Sequence, residues 1–172
     1  MKNKKEYIIV KKLISEELSN FLFDYFKLKR SVAKILKDYN IISSFSEDYG
    51  VFGDSQIPNK NTYALYGDIA FDNLLAKVKP KLEKTLNKKL IETYSYARIY
   101  TTGDILTSHR DRPSCAQSIT LNLGGDSWPI YLEDENLNAV KVDLKKGDAL
   151  IYKGFKYRHW RDRFEGKEDI IL

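Results

Sequence analysis

The chain contains only two histidines, and their neighbours decide what they could do. His109 stands in TSHRDRPSC, two residues before Asp111, and His159 stands in YRHWRDRF. Side chains at i and i+2 of an extended segment share a face, so His109 and Asp111 can grip one ion. His159, from a distant strand, can close the set. Two imidazoles and one carboxylate on one side of a metal leave its other positions open, the facial arrangement of non-haem Fe(II) oxygen chemistry. A lone His-x-Asp is a common coincidence, and a histidine is more often a surface or packing residue. The weight comes from context, because both histidines lie beside strand-like segments.

The elements that must position them fall into two halves. Residues 6–10, EYIIV, read as a short strand. Ser15 before Glu16 and Glu17 is a helix start with acids in the first turn. Leu18, Phe21, Leu22, Tyr25, Leu28, Val32, Ile35 and Leu36 recur at helical spacing, which predicts an amphipathic helix over 15–38. Residues 43–67 are rich in Gly, Ser, Asn and aromatics and read as loop with short strands. A second helix is predicted from about Asp68 to Leu86, with Phe71, Leu75, Val78 and Leu82 on one face and Pro80 as a kink or late restart. From Tyr94 onward TYSYARIY, SITLNL, WPIYLE, AVKVDL and DALIYKG are short and β-branched or aromatic, separated by the turn signals TTGD, GGDS, EDENLN and KKGD. That pattern predicts a β-sandwich or jelly-roll barrel with the helices against one face.

Bulk properties bound the class. The 172 residues fit one domain, and 42% apolar with 13% aromatic residues suits a globule. A formal charge of +5 is compatible with an acidic or nucleic-acid partner without arguing for one, since no basic block exceeds a few residues. The start, MKNKKEYIIVKK, lacks a long apolar core, and no apolar run approaches a membrane span. The one cysteine, Cys115, excludes an internal disulfide. A soluble, cytoplasmic protein with no membrane association is expected. The chain stops at DIIL, which reads as a strand still in progress, so a missing C-terminal tail is expected as well.

YARIYTTGD, SHRDRPSC, SITLNLGG, WPIYLE, KKGDALIYKG and HWRDRF, in that order and at those gaps, resemble the 2-oxoglutarate and Fe(II)-dependent dioxygenases of the prolyl 4-hydroxylase-like branch. The resemblance covers about residues 94–172. It implies a double-stranded β-helix (jelly-roll, cupin-like) barrel over about 91–172 with helical support over about 1–90, an α+β fold. It implies His109, Asp111 and His159 as iron ligands and Tyr100 as a contact to 2-oxoglutarate. Fe(II), 2-oxoglutarate and O2 follow, with ascorbate as an optional reductant, and so does hydroxylation of a C–H bond with release of succinate and CO2. A peptide or protein substrate, with a prolyl side chain first, is the reading carried forward.

One departure matters. The family places a basic residue roughly ten positions after the distal histidine, and here that stretch holds Glu168, Asp169 and Ile170. Period-two alternation offers Arg161 instead, because it shares the face of His159, and a guanidinium fork matches a carboxylate. Arg163, Lys167 and the inward Arg98 stand in reserve, and for any one of them a surface ion pair is an equal reading. Trp128 and Trp160 read as core or rim aromatics, Cys115 as a small packing residue and KPKLEKTLNKK as a solvated helix face. The 47–66 loop reads as a lid or substrate wall, with Tyr49, Phe52, Tyr63 and Tyr66 as its aromatic lining, or as plain connection. The rival readings are a nucleic-acid or small-molecule oxygenase of the same chemistry and a non-catalytic cupin-like metal barrel. Neither the oligomeric state nor the substrate is legible.

Overall fold

A computed structural model describes residues 7–43 and 45–172. In chain order the elements are β1 (Tyr7–Val10), α1 (Glu16–Asp38), β2 (Val51–Phe52), β3 (Tyr63–Tyr66), α2 (Ile69–Leu86), β4 (Tyr96–Tyr100), β5 (Leu106–His109), β6 (Ser118–Leu121), β7 (Ile130–Glu133), β8 (Ala139–Val142), β9 (Ala149–Tyr152), β10 (His159–Arg161) and β11 (Ile170–Ile171). The pairs are antiparallel and form three sheets, ordered β1-β9-β6, β11-β4-β3-β2 and β5-β10-β7-β8. The Leu123 N–H donates to Ile171 O at 3.0 Å and the Ile171 N–H to Gly124 O at 3.1 Å, which joins the edges of the first two sheets. Two helices on a mainly antiparallel framework match the expected α+β class, and the C-terminal apolar run is the paired strand β11. The strand expected over 6–10 is β1, with residue 6 outside the described residues.

Both helices start where their caps place them. The Ser15 hydroxyl accepts from the Leu18 N–H at 3.2 Å, and Asp68 accepts from Ala70 N–H at 2.9 Å; each satisfies an amide that has no helical partner. Asn87 ends α2 in the left-handed region at φ 49°, a conformation asparagine tolerates. Pro80 lies inside α2, which runs unbroken from Ile69 to Leu86, so of the two expectations the late restart is corrected. The buried stripe of α2 is Phe71, Leu74, Val78 and Leu82, so Leu74 takes the place assigned to Leu75. In α1 the correction is larger: Ser19, Leu22, Phe23, Phe26 and Ala33 are buried, whereas Phe21, Leu28, Val32 and Ile35 are exposed.

Strand alternation then sorts the core into two sides. Ala97, Ile99, Ala149, Ile151 and Ile171 pack with α1 and α2. Their alternates turn the other way: Tyr100 and Ile170 join Leu106, Trp128 and Phe164, while Leu150 and Tyr152 join Ile130, Leu132 and Val142 of the third sheet. A strand with both faces buried is apolar throughout rather than alternating, which is what ALIY shows. Arg98, on the same face as Tyr100, is thereby drawn into the interior between the sheets.

Candidate metal centre

β5 and β10 are hydrogen-bonded neighbours, and their register sets His109 directly opposite His159. The imidazole centroids are 4.2 Å apart. Asp111 lies two residues past His109, just beyond the end of β5, and brings Oδ1 to 3.8 Å from His109 Nε2 and 3.4 Å from His159 Nε2. One ligand atom from each of the three residues lies within 4.8 Å of the others. The structure therefore brings together the three residues expected to share an ion. Their donor set, two imidazole nitrogens and a carboxylate oxygen, suits a first-row divalent metal.

Each group is held from behind. His109 Nδ1 lies 2.8 Å from Thr107 O and His159 Nδ1 3.3 Å from Tyr157 O. A Nδ1–H donated to a carbonyl leaves the Nε2 lone pair free for a metal. The Asp111 N–H donates to Gly154 O at 3.0 Å, and Ser118 Oγ donates to Asp111 Oδ2. A Cβ at Gly154 would sit 1.9 Å from Asp111 Oδ2 and 2.3 Å from Ser118 Oγ, so only glycine lets this turn approach the carboxylate. The Tyr152 ring stands edge-on to His159 at 4.9 Å.

Electrostatics favour the ligating forms. Burial lowers the His109 pKa below the ordinary histidine value, with His159 pushing the same way. Burial raises the Asp111 carboxyl, but hydrogen bonds from His159 and Ser118 outweigh it and leave it below the usual carboxylate value. Burial, with Asp111 next, holds the Tyr152 phenol well above its ordinary value.

Two residues beyond His159, past a register shift in the β10–β5 ladder, Arg161 is 2% exposed. Its guanidinium donates to Trp128 O and lies 5.1 Å from the Trp128 ring. NH2 has no partner, and among the described residues no carboxylate pairs with this arginine. Burial pushes its pKa down to about 10, and a guanidinium remains charged there at neutral pH. The Tyr100 ring packs edge-on against Trp128 at 4.8 Å, on the same side of the core. Two reserve cations lie at the surface, and the third, Arg98, lies 5.6 Å from the Tyr100 ring. Arg163 is exposed and pairs with Glu165, Lys167 is exposed, and Arg98 is buried but donates to Asp54, Tyr96 and Gln56.

Side-chain hydrogen bonds anchor the 47–66 loop at Asp54, Asn59 and Thr62. Asn59 Nδ2 donates to Asp104 Oδ1 at 2.6 Å and Thr62 Oγ1 to Asp104 Oδ2, while Asp54 Oδ1 accepts from the Gln56 and Ile57 N–H groups at 2.9 and 2.7 Å. This turn carries Gln56 Nε2 to 3.3 Å from His109 Nε2. Tyr63 is fully buried against Phe26 and Phe52, so these two aromatics of the expected groove belong to the core under the helices. Tyr66 does face solvent, stacked on Tyr94 at 4.6 Å beside Tyr96, with Arg112 over Tyr94. Trp128 is core and Trp160 stacks on Tyr131, as expected of core and rim aromatics. Cys115 is half-buried against the Tyr94 hydroxyl.

Ser118, Gly154, Tyr152 and Gln56 carry no role in the sequence reading. Gly154 and Tyr152 lie in the KKGDALIYKG stretch and Ser118 opens SITLNLGG, but no local spacing ties them to Asp111 or His159. Only the glycine after an apolar strand hints at a close approach.

No family model matches the sequence and no curated protein matches it. Solved structures do. A Pseudomonas putida prolyl-4-hydroxylase superposes with a TM-score of 0.69 at 13% identity, over 98% of this chain and 90% of that one. The chain has the fold of that enzyme. OsALKBH1 gives 0.63 at 14% identity, over 100% of this chain and 98% of that one. The viral collagen prolyl hydroxylase of Paramecium bursaria Chlorella virus-1, solved as a 2OG complex, gives 0.59 at 14%, over 98% and 94%. The likeness is one of fold and runs along the whole chain, including the helical half that the sequence resemblance did not cover.

Proposed function

We propose that the protein is an Fe(II)- and 2-oxoglutarate-dependent dioxygenase that hydroxylates a C–H bond and releases succinate and CO2. The observation that carries this reading is the pairing of two features on β10: His159 aimed at Asp111 and His109, and a buried arginine with no counter-ion two residues further on. A metal site alone fits many proteins. A metal site beside an unpartnered buried guanidinium fits a metal chelator that carries a second carboxylate. The three solved relatives support the reading by fold, in which the three sheets are arranged as a double-stranded β-helix and the whole chain, 1–172, acts as one domain.

Fe(II) held by His109, Asp111 and His159, with 2-oxoglutarate and O2, supplies the oxidising chemistry and draws on ascorbate as an optional reductant. The chain's own residues do the rest. Ser118 and Gly154 fix Asp111, and the Thr107 and Tyr157 carbonyls orient the imidazoles. Arg161 pairs with the far carboxylate of 2-oxoglutarate, with Tyr100 beside it. Ile57, Leu106, Trp128 and Phe164 keep that end dry, which strengthens the ion pair.

The substrate reading is a peptide, with a prolyl side chain first, acted on in a reducing, cytoplasmic setting that suits the free Cys115. Supporting it are the ledge of exposed Tyr66 and Tyr96 with half-buried Tyr94 between them, next to Arg112, one residue from the metal ligand Asp111, and the two prolyl hydroxylases among the solved relatives. Aromatic walls suit an extended proline-rich chain. No described helix is long and apolar enough to cross a membrane. The test is a panel of proline peptides offered to the wild type and to a Tyr66→Ala, Tyr94→Ala double variant. Wild-type protein should hydroxylate the peptides well above free proline. The double variant should keep uncoupled 2-oxoglutarate decarboxylation and lose most peptide product. If no peptide reacts while an oligonucleotide or free amino acid does, the ledge serves that substrate instead.

A further inference from the structure

Helix α1 has two apolar faces, and the fold uses one. Leu22, Phe23, Phe26 and Ala33 are buried against the sheets. On the opposite side Phe21, Leu28, Val32, Ile35 and the cap residue Tyr39 are 65, 63, 42, 54 and 76% exposed. With half-buried Tyr25, these positions step along the helix by four, three, four, three and four residues. That is the a/d spacing of a helix-pairing seam, wider than a scatter of surface apolars and about five turns long.

We propose that this face pairs with the same face of a second copy of the chain, the two α1 helices running parallel about a twofold axis. A 3-4 seam packs best on another 3-4 seam, and a self-matching stripe needs no other partner. The flanking charges select the orientation. Glu17, Asp24 and Asp38 share one flank, on which Ser31 is the uncharged fourth step, and Lys29 lies on the other flank. In a parallel pair Asp24 of each copy faces Lys29 of the other, five residues on, as g faces e. In an antiparallel pair the acidic flank faces itself. Lys29 already reaches Asp68 at 3.2 Å and is a third exposed, so it can serve both carboxylates.

Sedimentation velocity of the full chain over a concentration series tests the proposal. A concentration-dependent dimer is expected, and a Leu28→Glu, Ile35→Glu variant with unchanged circular dichroism should raise the dimer dissociation constant by about a hundredfold. Asp24→Lys should weaken the dimer, because it sets two cations against each other across the seam. With Cys115→Ser as background, Phe21→Cys should oxidise to a self-disulfide, because Phe21 lies at one end of the seam, where parallel helices bring equal positions together and antiparallel ones hold them several turns apart. A monomer at every concentration overturns the proposal, as does a dimer untouched by the Leu28/Ile35 variant. A dimer that is lost in that variant but gives no Phe21→Cys cross-link overturns the parallel arrangement.

Discussion

Arg161 and Arg98 are both inward-facing and both 2% exposed, yet they stand in opposite situations. Arg98 lies at the rim, where its guanidinium donates to Asp54, Gln56 and Tyr96 and holds the 53–57 turn over His109. Arg161 lies two residues past His159, against Trp128, with one amino group lacking any partner and no carboxylate beside it among the described residues, whereas Arg98 leaves its Nε unpartnered but has Asp54. A buried charge is costly unless paired. The rim arginine has its carboxylate within the protein, while the floor arginine has none among the described residues, and the proposed pairing with 2-oxoglutarate supplies one. Under the proposed function, the same burial means scaffold in one place and recognition in the other.

The largest effect that would break this comparison is at Arg161. Arg161→Met should raise the KM for 2-oxoglutarate by about a hundredfold, because a charge-assisted pair in a dry site is worth a few kcal/mol. Iron binding should stay nearly intact, and thermal melting without 2-oxoglutarate should be unchanged or improved by about 1 kcal/mol, since a methionine ends the unpaired charge. An unchanged KM would move the role to Arg98, Arg163 or Lys167. Next in size, Gly154→Ala should weaken metal binding by about tenfold or more through displacement of Asp111, read by titration with Mn(II). Arg98→Met should instead destabilise the fold by about 2 kcal/mol in urea unfolding, because Asp54 and Gln56 lose their partner. If Arg98→Met proves neutral and Arg161→Met proves destabilising, the roles of floor and rim are reversed.

The smallest effect is in pH. The folded-state pKa of His109 is lowered, so its neutral, ligating form persists below the ordinary histidine value and is lost only as pH falls through the lowered value. Metal affinity should thus hold near neutrality and decline only once pH has fallen below the ordinary histidine value. A decline centred above 6.5 would mean that His109 is more solvated than its burial implies.

Much of this was legible in the sequence because it is local. Two histidines, one with a carboxylate at i+2, marked the triad, and period two put Arg98, Tyr100 and Arg161 inside. Ser15 and Asp68 located both helix starts through their own side chains. What stayed hidden depends on what lies across the fold. Periodicity showed that α1 carries apolar stripes, but with stripes on two sides it could not tell which one meets the sheet. The same limit swapped Leu75 for Leu74. Tyr63 read as loop lining because the loop is polar, whereas β3 carries it under Phe26. Ser118 and Gly154 meet Asp111 from 7 and 43 residues away, and nothing in their own neighbourhoods encodes that contact.

The central claim is that the His109–Asp111–His159 set and the Arg161 pocket together make a 2-oxoglutarate-consuming enzyme rather than a passive metal barrel. Succinate formed from 2-oxoglutarate under O2, followed with and without Fe(II), tests it directly. Succinate should accumulate only with Fe(II) in the wild type and fall to background in His159→Ala, which should also fail to retain stoichiometric metal by elemental analysis. No succinate from Fe(II)-loaded wild-type protein, or full metal loading and undiminished succinate in His159→Ala, would contradict the account.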